Sequence, residues 1–162
     1  MTYPGKLAET VDLQLQSIPN NFTNTPGKLI TQQRRLEPGI NHLHFDVPQK
    51  NPRLWWTWDR GLPNLYELQV NITKSGQLLD RSETKFGFRT IEYDREAMVW
   101  KLNNERIFIR GTNYIGSQWL SEMTAEKSGF DLTLMKQANI NAVRVHAYPS
   151  FVILRELKLR GT

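Results

Sequence analysis

The amino-acid sequence predicts a mainly β protein, with a β-sandwich in residues 1–90 followed by a βαβ unit in residues 106–149. Two observations carry this prediction. In the first 90 residues, short segments with apolar side chains at every second position alternate with turns rich in Gly, Pro, Asn and Ser, as in sandwiches. From Arg106 onward the pattern becomes apolar run, polar loop, helical segment and second apolar run, which is the order of a βαβ unit.

Length and composition fit one large globular domain or two small ones. The chain has 162 residues, of which 39% are hydrophobic and 23% charged, as is ordinary for globular proteins. No apolar run reaches the 18 residues that a membrane helix needs, so no membrane contact is expected. Residues 1–10 lack the apolar core of a signal peptide, which favours a cytoplasmic location.

Charge and cysteine content exclude several kinds of site. Zero Cys excludes disulfides and thiolate metal sites and fits a reducing compartment. The net charge of +5 is spread along the chain, and its densest clusters, Arg34-Arg35 and the tail residues Arg155, Lys158 and Arg160, have no interleaved aromatic residues. A nucleic-acid partner is therefore not expected. The chain also lacks a Gly-rich phosphate loop, a Ser elbow and zinc spacing, and no cofactor is expected.

Five strands are predicted before residue 90. In the first of them, Val11, Leu13 and Leu15 share one face. Glu37-Pro38-Gly39 and Ser75-Gly76 are predicted turns. The predicted strands are Thr10–Gln16, Leu29–Leu36, His42–Val47, Leu65–Thr73 and Leu78–Phe88. His42 and His44 alternate with Leu43 and Phe45, so both are expected on the surface, and without a third ligand nearby they predict no metal site.

Three tryptophans, Trp55, Trp56 and Trp58, fall within four residues between the predicted strands. One interpretation is an exposed aromatic platform on which a sugar stacks. The other is that the Trp side chains pack into the hydrophobic core beneath a long connection, because Trp rings bury large areas. The Pro and Gly residues around the cluster favour a packed irregular connection. We therefore expect Trp55 and Trp56 to be largely buried between the sandwich and the βαβ unit.

A domain boundary is predicted near residue 91. After it, the sequence predicts a hairpin from Met98 to Arg110 that turns at Asn103-Asn104, residues that tolerate positive φ. The second arm, Ile107–Ile109, would become the first parallel strand and end at Gly111. Ala142–Val145 would be the second parallel strand.

The helix between these strands has two candidate starts. Ser128 and Asp131 have the spacing of a capping box, but the helix can also start near Thr124, with Gly129 weakening it. An apolar stripe is predicted along Phe130, Leu134 and Ala138, with Met135 beside it. Asn139 is predicted to end the helix.

Chemistry is expected where the parallel strands end, since binding residues gather in such loops. Arg144 lies in an apolar run, so it is predicted to be buried and paired. One interpretation is that Arg144 keeps a catalytic carboxylate ionised. The other is that it forms a structural ion pair or lies at an exposed strand end. His146 either binds a sugar hydroxyl or acts as an acid, or is structural. Asn113 and Trp119 are predicted in the strand-end loop as substrate-binding residues.

No carboxylate closely follows either strand end. Sugar hydrolysis usually requires two, one on each side of the scissile bond. Glu122 and Glu126 lie in the loop or at the helix start and are expected to be solvated.

Four segments resemble glycoside hydrolase family 2, in that family's order, over roughly Leu36 to Pro149. They are LWWTWDRGLPNLYELQV, FGFRTIEY, IFIRGTNYI and LMKQANINAVRVHAYP. Any one of them alone is a weak signal, and their combination is specific. The Leu-Trp-Trp and Gly-Thr-Asn-Tyr-Ile variants look most like the β-mannosidase branch, while the final segment looks equally like β-galactosidases.

The resemblance implies a fragment of a retaining β-glycosidase. Residues 1–90 would be the family's immunoglobulin-like sandwich, incomplete if its first strands are missing, and residues 91–149 the start of its (β/α)8 barrel. Both catalytic Glu would belong to later barrel strands and be absent. Arg144 matches the Arg that supports the nucleophile. His146 matches less closely, because the family often has His one residue later, where this chain has Ala147. Residues 150–162 depart from the family and form an atypical tail.

Two functions remain open at this point. The first is a piece of a β-glycosidase that is inactive alone and whose partner in the full-length enzyme is a β-linked glycoside. The second is a non-catalytic carbohydrate-binding or interaction module built on the sandwich and the Trp cluster. Because two strands cannot close a barrel, we also expect self-association, or a tail that covers the apolar faces with Leu154 and Leu157.

Overall fold

The computed structural model describes residues 2–115 and 124–145. It confirms a mainly β protein, with one α-helix among these residues. The chain forms two compact units, composed of Met1–Arg53 with Asn64–Phe88 and of Leu54–Pro63 with Arg89–Thr162. No helix of the described residues is long and apolar enough to cross a membrane.

The first unit is built on a four-stranded antiparallel sheet in the order β3-β2-β5-β6. A short antiparallel pair, β1 with β4, accompanies it. The strands are β1 (Thr2–Tyr3), β2 (Glu9–Pro19), β3 (Ile30–Leu36), β4 (Gly39–Ile40), β5 (Tyr66–Lys74) and β6 (Gln77–Phe86). Ser75 and Gly76 link β5 to β6 with φ values of 49° and 80°, the positive pair that a two-residue hairpin turn needs. The predicted turn at this position is confirmed.

The core of the first unit lies on one face of this sheet. Val11, Leu13 and Leu15 are buried on β2, as their alternation predicted, and Leu36 of β3 completes the cluster. Leu43, Phe45 and Val47 pack against it from outside the sheet.

The predicted strand His42–Val47 is wrong. The segment belongs to no strand of the described residues, although its burial alternates as a strand's would. The alternation arises because every second side chain packs onto the sheet, which requires no ladder hydrogen bonds. His42 and His44 point away and are exposed, as predicted.

The second unit contains a three-stranded antiparallel meander, a parallel pair of strands and the helix. Its elements are β7 (Ile91–Asp94), β8 (Val99–Leu102), β9 (Glu105–Ile107), β10 (Gly111–Tyr114), α1 (Ala125–Gln137) and β11 (Ala142–Val145). Asn103 and Asn104 form the turn between β8 and β9 with φ values of 51° and 68°. The predicted hairpin turn is thus confirmed.

The first parallel strand lies further along the chain than predicted. Ile107 ends the hairpin, where it pairs with Trp100 of β8, and Phe108, which is 75% exposed, separates it from the parallel strand. β10 begins at Gly111 instead of ending there, and it runs parallel to β11. The apolar run Ile107–Ile109 was misleading because it is divided between a hairpin arm and a connection.

Helix α1 begins at the earlier of the two predicted positions. The Thr124 side chain accepts a hydrogen bond from the Lys127 amide and caps the helix, so Ser128 lies inside it and the capping-box alternative is wrong. Asn139 ends the helix, as predicted, with φ of 61°. The amides of Asn139 and Ile140 donate to the carbonyls of Lys136 and Met135 at 3.0 Å each, the pattern of a Schellman cap.

The apolar stripe predicted on α1 does not face the interior. Phe130 is 62% exposed and Leu134 47%. The buried helix positions are Ser128, Gly129 and Leu132 instead. Ser128 and Gly129 are small and not strongly apolar, so a search for large apolar side chains at helical spacing does not find them.

Candidate functional site

The parallel pair brings two predicted site residues together. Asn113 of β10 and Arg144 of β11 are register partners, so their side chains leave the same face of the pair. The neighbouring Tyr114 points the other way, toward α1, where its hydroxyl donates to the Asp131 carboxylate at 2.8 Å. Asn113 and Arg144 therefore lie on the face opposite the helix, and both are exposed.

The expected burial of Arg144 is wrong. Val143 and Val145, its neighbours in the apolar run, pair with Thr112 and Tyr114 on the helix side and are half-buried. Strand alternation places Arg144 on the opposite side. Within residues 2–115 and 124–145, Arg144 makes no hydrogen bond or ion pair. Asn113 was predicted in a loop and instead lies within β10.

Three other residues singled out from the sequence, Trp119, Glu122 and His146, lie outside the described residues. Glu126 is exposed in the first turn of α1, as expected for a solvated carboxylate. The roles predicted for Trp119 and His146 stay predictions.

Among the residues that the structure describes, the face of the β10–β11 pair opposite the helix can bind and orient but carries no group for acid–base chemistry. Its residues in the paired strands are Gly111, Asn113, Ala142 and Arg144, and none of them is Asp or Glu. The guanidinium of Arg144 offers only hydrogen-bond donors, whereas the Asn113 amide both donates and accepts. Such a pair suits a carboxylate or a row of hydroxyl groups.

Tyr114 anchors β10 to the helix on the other face. Burial and the hydrogen bond to the Asp131 carboxylate raise the pKa of the Tyr114 phenol to about 12. Lys127 also contacts the Asp131 carboxylate, at 3.2 Å, one helical turn before it. The phenol is therefore a fixed donor and not a proton shuttle at neutral pH.

The Trp cluster belongs to the second unit, and its rings are packed. Trp55 is 5% exposed, and the Arg89 guanidinium lies over its ring, 4.4 Å from the centroid. Trp56 and Trp58 are half-buried, and the Trp58 indole donates to the Ile140 carbonyl at 3.0 Å. These contacts support the packing interpretation over an exposed row of rings.

A polar network that sequence analysis missed lies where the two parallel strands begin. Asp59 accepts hydrogen bonds on Oδ2 from the Arg110 guanidinium at 2.5 Å and from the Asn141 amide at 3.1 Å. Arg110 directly precedes β10, and Asn141, which is 5% exposed, directly precedes β11. The sequence offered one clue to this network, because Arg110 and Asn141 each stand directly before a parallel strand.

The main chains of the two strands are joined at the same place. The Arg110 amide donates to the Asn141 side chain at 2.9 Å, and the Asn141 amide donates to the Arg110 carbonyl at 3.0 Å. The Asn141 side chain also donates to the Phe108 carbonyl at 3.0 Å. Arg110 reaches the Asn139 carbonyl at the helix end, at 2.5 Å.

Asp59 is held as a carboxylate by these partners. Burial raises its pKa, but Thr57, Arg110 and Asn141 lower it, and the net shift is downward. The Thr57 hydroxyl and the Asp59 Oδ1 atom are both buried without a partner that meets hydrogen-bond geometry in the described residues. The hydrogen bonds that the Asp59 carboxylate accepts come from Arg110 and Asn141, and both favour its ionised form.

An open groove of about 880 Å³ lies on the first unit, between the start of β3 and residues 45–48. Its only charged lining residues are Lys28 and Asp46, so it has no pair of carboxylates. No group of three or more His, Asp or Glu residues in the described part of the chain could hold a metal ion.

Comparison with known proteins gives a consistent result. Residues 7–89 match the sequence model of glycosyl hydrolases family 2. The β-galactosidase large subunit of Latilactobacillus sakei is 36% identical over 105 residues, 62% of this chain and 16% of that protein. The mannosylglycoprotein endo-β-mannosidase of Lilium longiflorum is 33% identical over 98 residues, 57% of this chain and 10% of that protein.

A solved structure shares the fold over nearly the whole chain. The crystal structure of a putative β-galactosidase from Bacteroides fragilis superposes with a TM-score of 0.81 and 21% identity, covering 99% of this chain and 24% of that one. The chain thus spans about a tenth to a quarter of the length of these proteins.

Proposed function

Because this chain belongs to glycosyl hydrolases family 2, we propose that it is part of a retaining β-glycosidase of the β-galactosidase or β-mannosidase type. Its partner would be a β-linked glycoside. Alone, the chain would be inactive, because both catalytic Glu would lie on barrel strands that it does not contain. The two named relatives carry activities on different sugars, so the family leaves the sugar open.

In this proposal, residues 1–90 are an immunoglobulin-like sandwich and residues 91–149 open a (β/α)8 barrel. The family match ends at residue 89, and the second compact unit resumes at Arg89. Two parallel strands with a helix between them are what the start of such a barrel requires. Residues 150–162 stand outside the assignment.

The single observation that carries the proposal is the pairing of Asn113 with Arg144 on the face opposite the helix. In a (β/α)8 barrel that face lines the interior, and residues toward the carboxyl ends of the strands build the active site. Arg144 would orient the nucleophilic Glu and keep it ionised. Asn113 would bind substrate, together with Trp119 and His146.

The alternative is a non-catalytic carbohydrate-binding or interaction module built on the sandwich and the Trp cluster, with the Trp rings as its stacking platform. Sugar stacking requires ring faces open to solvent, whereas Trp55 is almost fully buried. No observation in the described residues favours this alternative, and we do not adopt it.

The experiment that tests the proposal is expression of the chain together with the coding sequence that continues its reading frame. The longer product should hydrolyse an aryl β-galactoside or β-mannoside. In it, Arg144→Ala should lower kcat about a hundredfold or more, the cost of removing one preorganised charge contact to the reacting groups. The exposed His42→Ala is the matched control and should leave kcat unchanged. A longer product without hydrolytic activity on any aryl β-glycoside would overturn the proposal.

A further inference from the structure

The network around Asp59 stands at the opposite end of the parallel strands from Asn113 and Arg144. Arg110 lies three residues before Asn113, and Asn141 lies three residues before Arg144. Because both intervals are equal, any contact that fixes Arg110 opposite Asn141 also fixes Asn113 opposite Arg144. The register of a short strand pair needs such a restraint, since four residues a side supply few ladder bonds.

We propose that Asp59 is a positioning residue that sets the register of β10 and β11. Its Oδ2 atom accepts from Arg110 and Asn141 at the same time, so one carboxylate ties the residues that precede both strands. The Trp58 indole bond to Ile140 and the Arg110 bond to Asn139 hold the same connection from two further sides. Asp59 thus acts on the proposed site through the strands and touches none of its residues.

The hydrogen bonds from Arg110 and Asn141 to the Asp59 carboxylate are charge-assisted. Each joins a charged carboxylate to a donor in a half-buried setting, because the Asp59 side chain is 15% exposed and that of Arg110 is 36% exposed. Bonds of this kind are shorter and stronger than neutral ones. Replacing Asp59 would also leave Arg110 and Asn141 with unmatched donors beside the start of both strands.

The effect of Asp59 on function rests on the proposed site at Asn113 and Arg144. Its effect on strand register does not depend on that site, so the test measures the register of β10 and β11 directly. The chain has no Cys, and the N113C/R144C pair would place two thiols on register partners. Neighbouring strands lie about 4.8 Å apart, within the Cα separation that a disulfide accepts. The N113C/A142C pair, on the same face but two residues out of register, would be about 8 Å apart and should not close.

Both pairs would be oxidised in the full chain, with Asp59 intact and with Asp59→Ala. With Asp59 intact, only the N113C/R144C pair should close. In Asp59→Ala the ratio of in-register to out-of-register disulfide should fall about tenfold, in line with loss of a hydrogen bond to a charged group. If that variant does not fold, the isosteric Asp59→Asn should show a smaller fall in the same direction, because it keeps one acceptor.

A merely structural role would lower stability without changing this ratio. An unchanged ratio in a folded Asp59→Ala or Asp59→Asn chain would overturn the inference. Because the readout is independent of hydrolysis, a failed register test leaves the proposed function untouched, and an inactive longer product leaves the register test untouched.

Discussion

Asn113 of β10 and Arg144 of β11 are register partners, and each lies three residues after a residue that is hydrogen-bonded to Asp59. The Asp59 hydrogen-bond network therefore lies at the start of the two strands, and the exposed side chains of Asn113 and Arg144 lie nearer their carboxyl ends. In (β/α)8 barrels, residues at the amino ends of the strands contribute to stability, and residues at the carboxyl ends contribute to catalysis.

Trp55 should be essential to the second unit. Its ring is 5% exposed and lies beneath the Arg89 guanidinium, so Trp55→Ala should lower the free energy of unfolding by about 3–5 kcal/mol. Urea denaturation followed by circular dichroism measures this. Trp100→Ala is the matched control, because that ring is 41% exposed and should cost far less. Equal losses for the two variants would contradict the packing interpretation.

Asn139 should prefer replacement by Gly over Ala. Its φ of 61° is left-handed, a conformation that costs most side chains about 1–2 kcal/mol. Asn139→Gly should leave the thermal midpoint unchanged or raise it, and Asn139→Ala should lower it. The reverse order in calorimetry would show that the Schellman cap does not end the helix in solution.

Tyr114 should ionise later than an ordinary tyrosine. Its folded pKa is about 12, raised by burial and by Asp131 from the ordinary value of 10.0. The stabilisation is complete below the unfolded pKa and is lost as the pH rises through the folded pKa. An alkaline absorbance titration should show one late phenol that Tyr114→Phe removes. A titration that is the same with and without Tyr114 would contradict the bond to Asp131.

The exposed apolar stripe of α1 should promote self-association. Phe130 and Leu134 lie one helical turn apart and are 62% and 47% exposed, and large uncovered apolar patches favour association. Light scattering should give a mass above that of the monomer for the purified chain. The double variant F130Q/L134Q should shift it toward the monomer, whereas L78Q, on the exposed β6, should not. A monodisperse monomer without substitution would show that this expectation is wrong.

Local signals in the sequence predicted much of the fold. The alternation of Val11, Leu13 and Leu15, the Ser75-Gly76 turn and the Asn139 helix stop each depend on a few adjacent residues, and the structure confirms all three. Those features are predictable because backbone sterics and strand period act over short distances.

Features that depend on distant partners were predicted less well. The alternation of residues 42–47 reflects packing on the sheet without strand pairing, and the apolar run at Ile107 is divided between two structures. Arg144 was expected to be buried because its neighbours are apolar, but strand alternation exposes it. The Asp59 network joins residues 51 and 82 positions apart, a spacing that no local pattern reveals.

Hydrolysis by the purified 162-residue chain tests the central claim most directly. A panel of aryl β-galactosides, β-mannosides and β-glucuronides would be incubated with the chain and with Glu126→Gln as a matched variant. Because the two carboxylates that the reaction requires would be missing, we predict release no faster than in buffer for either protein. Hydrolysis whose rate rises in proportion to the concentration of the chain, and that is lost in Glu126→Gln, would contradict the claim.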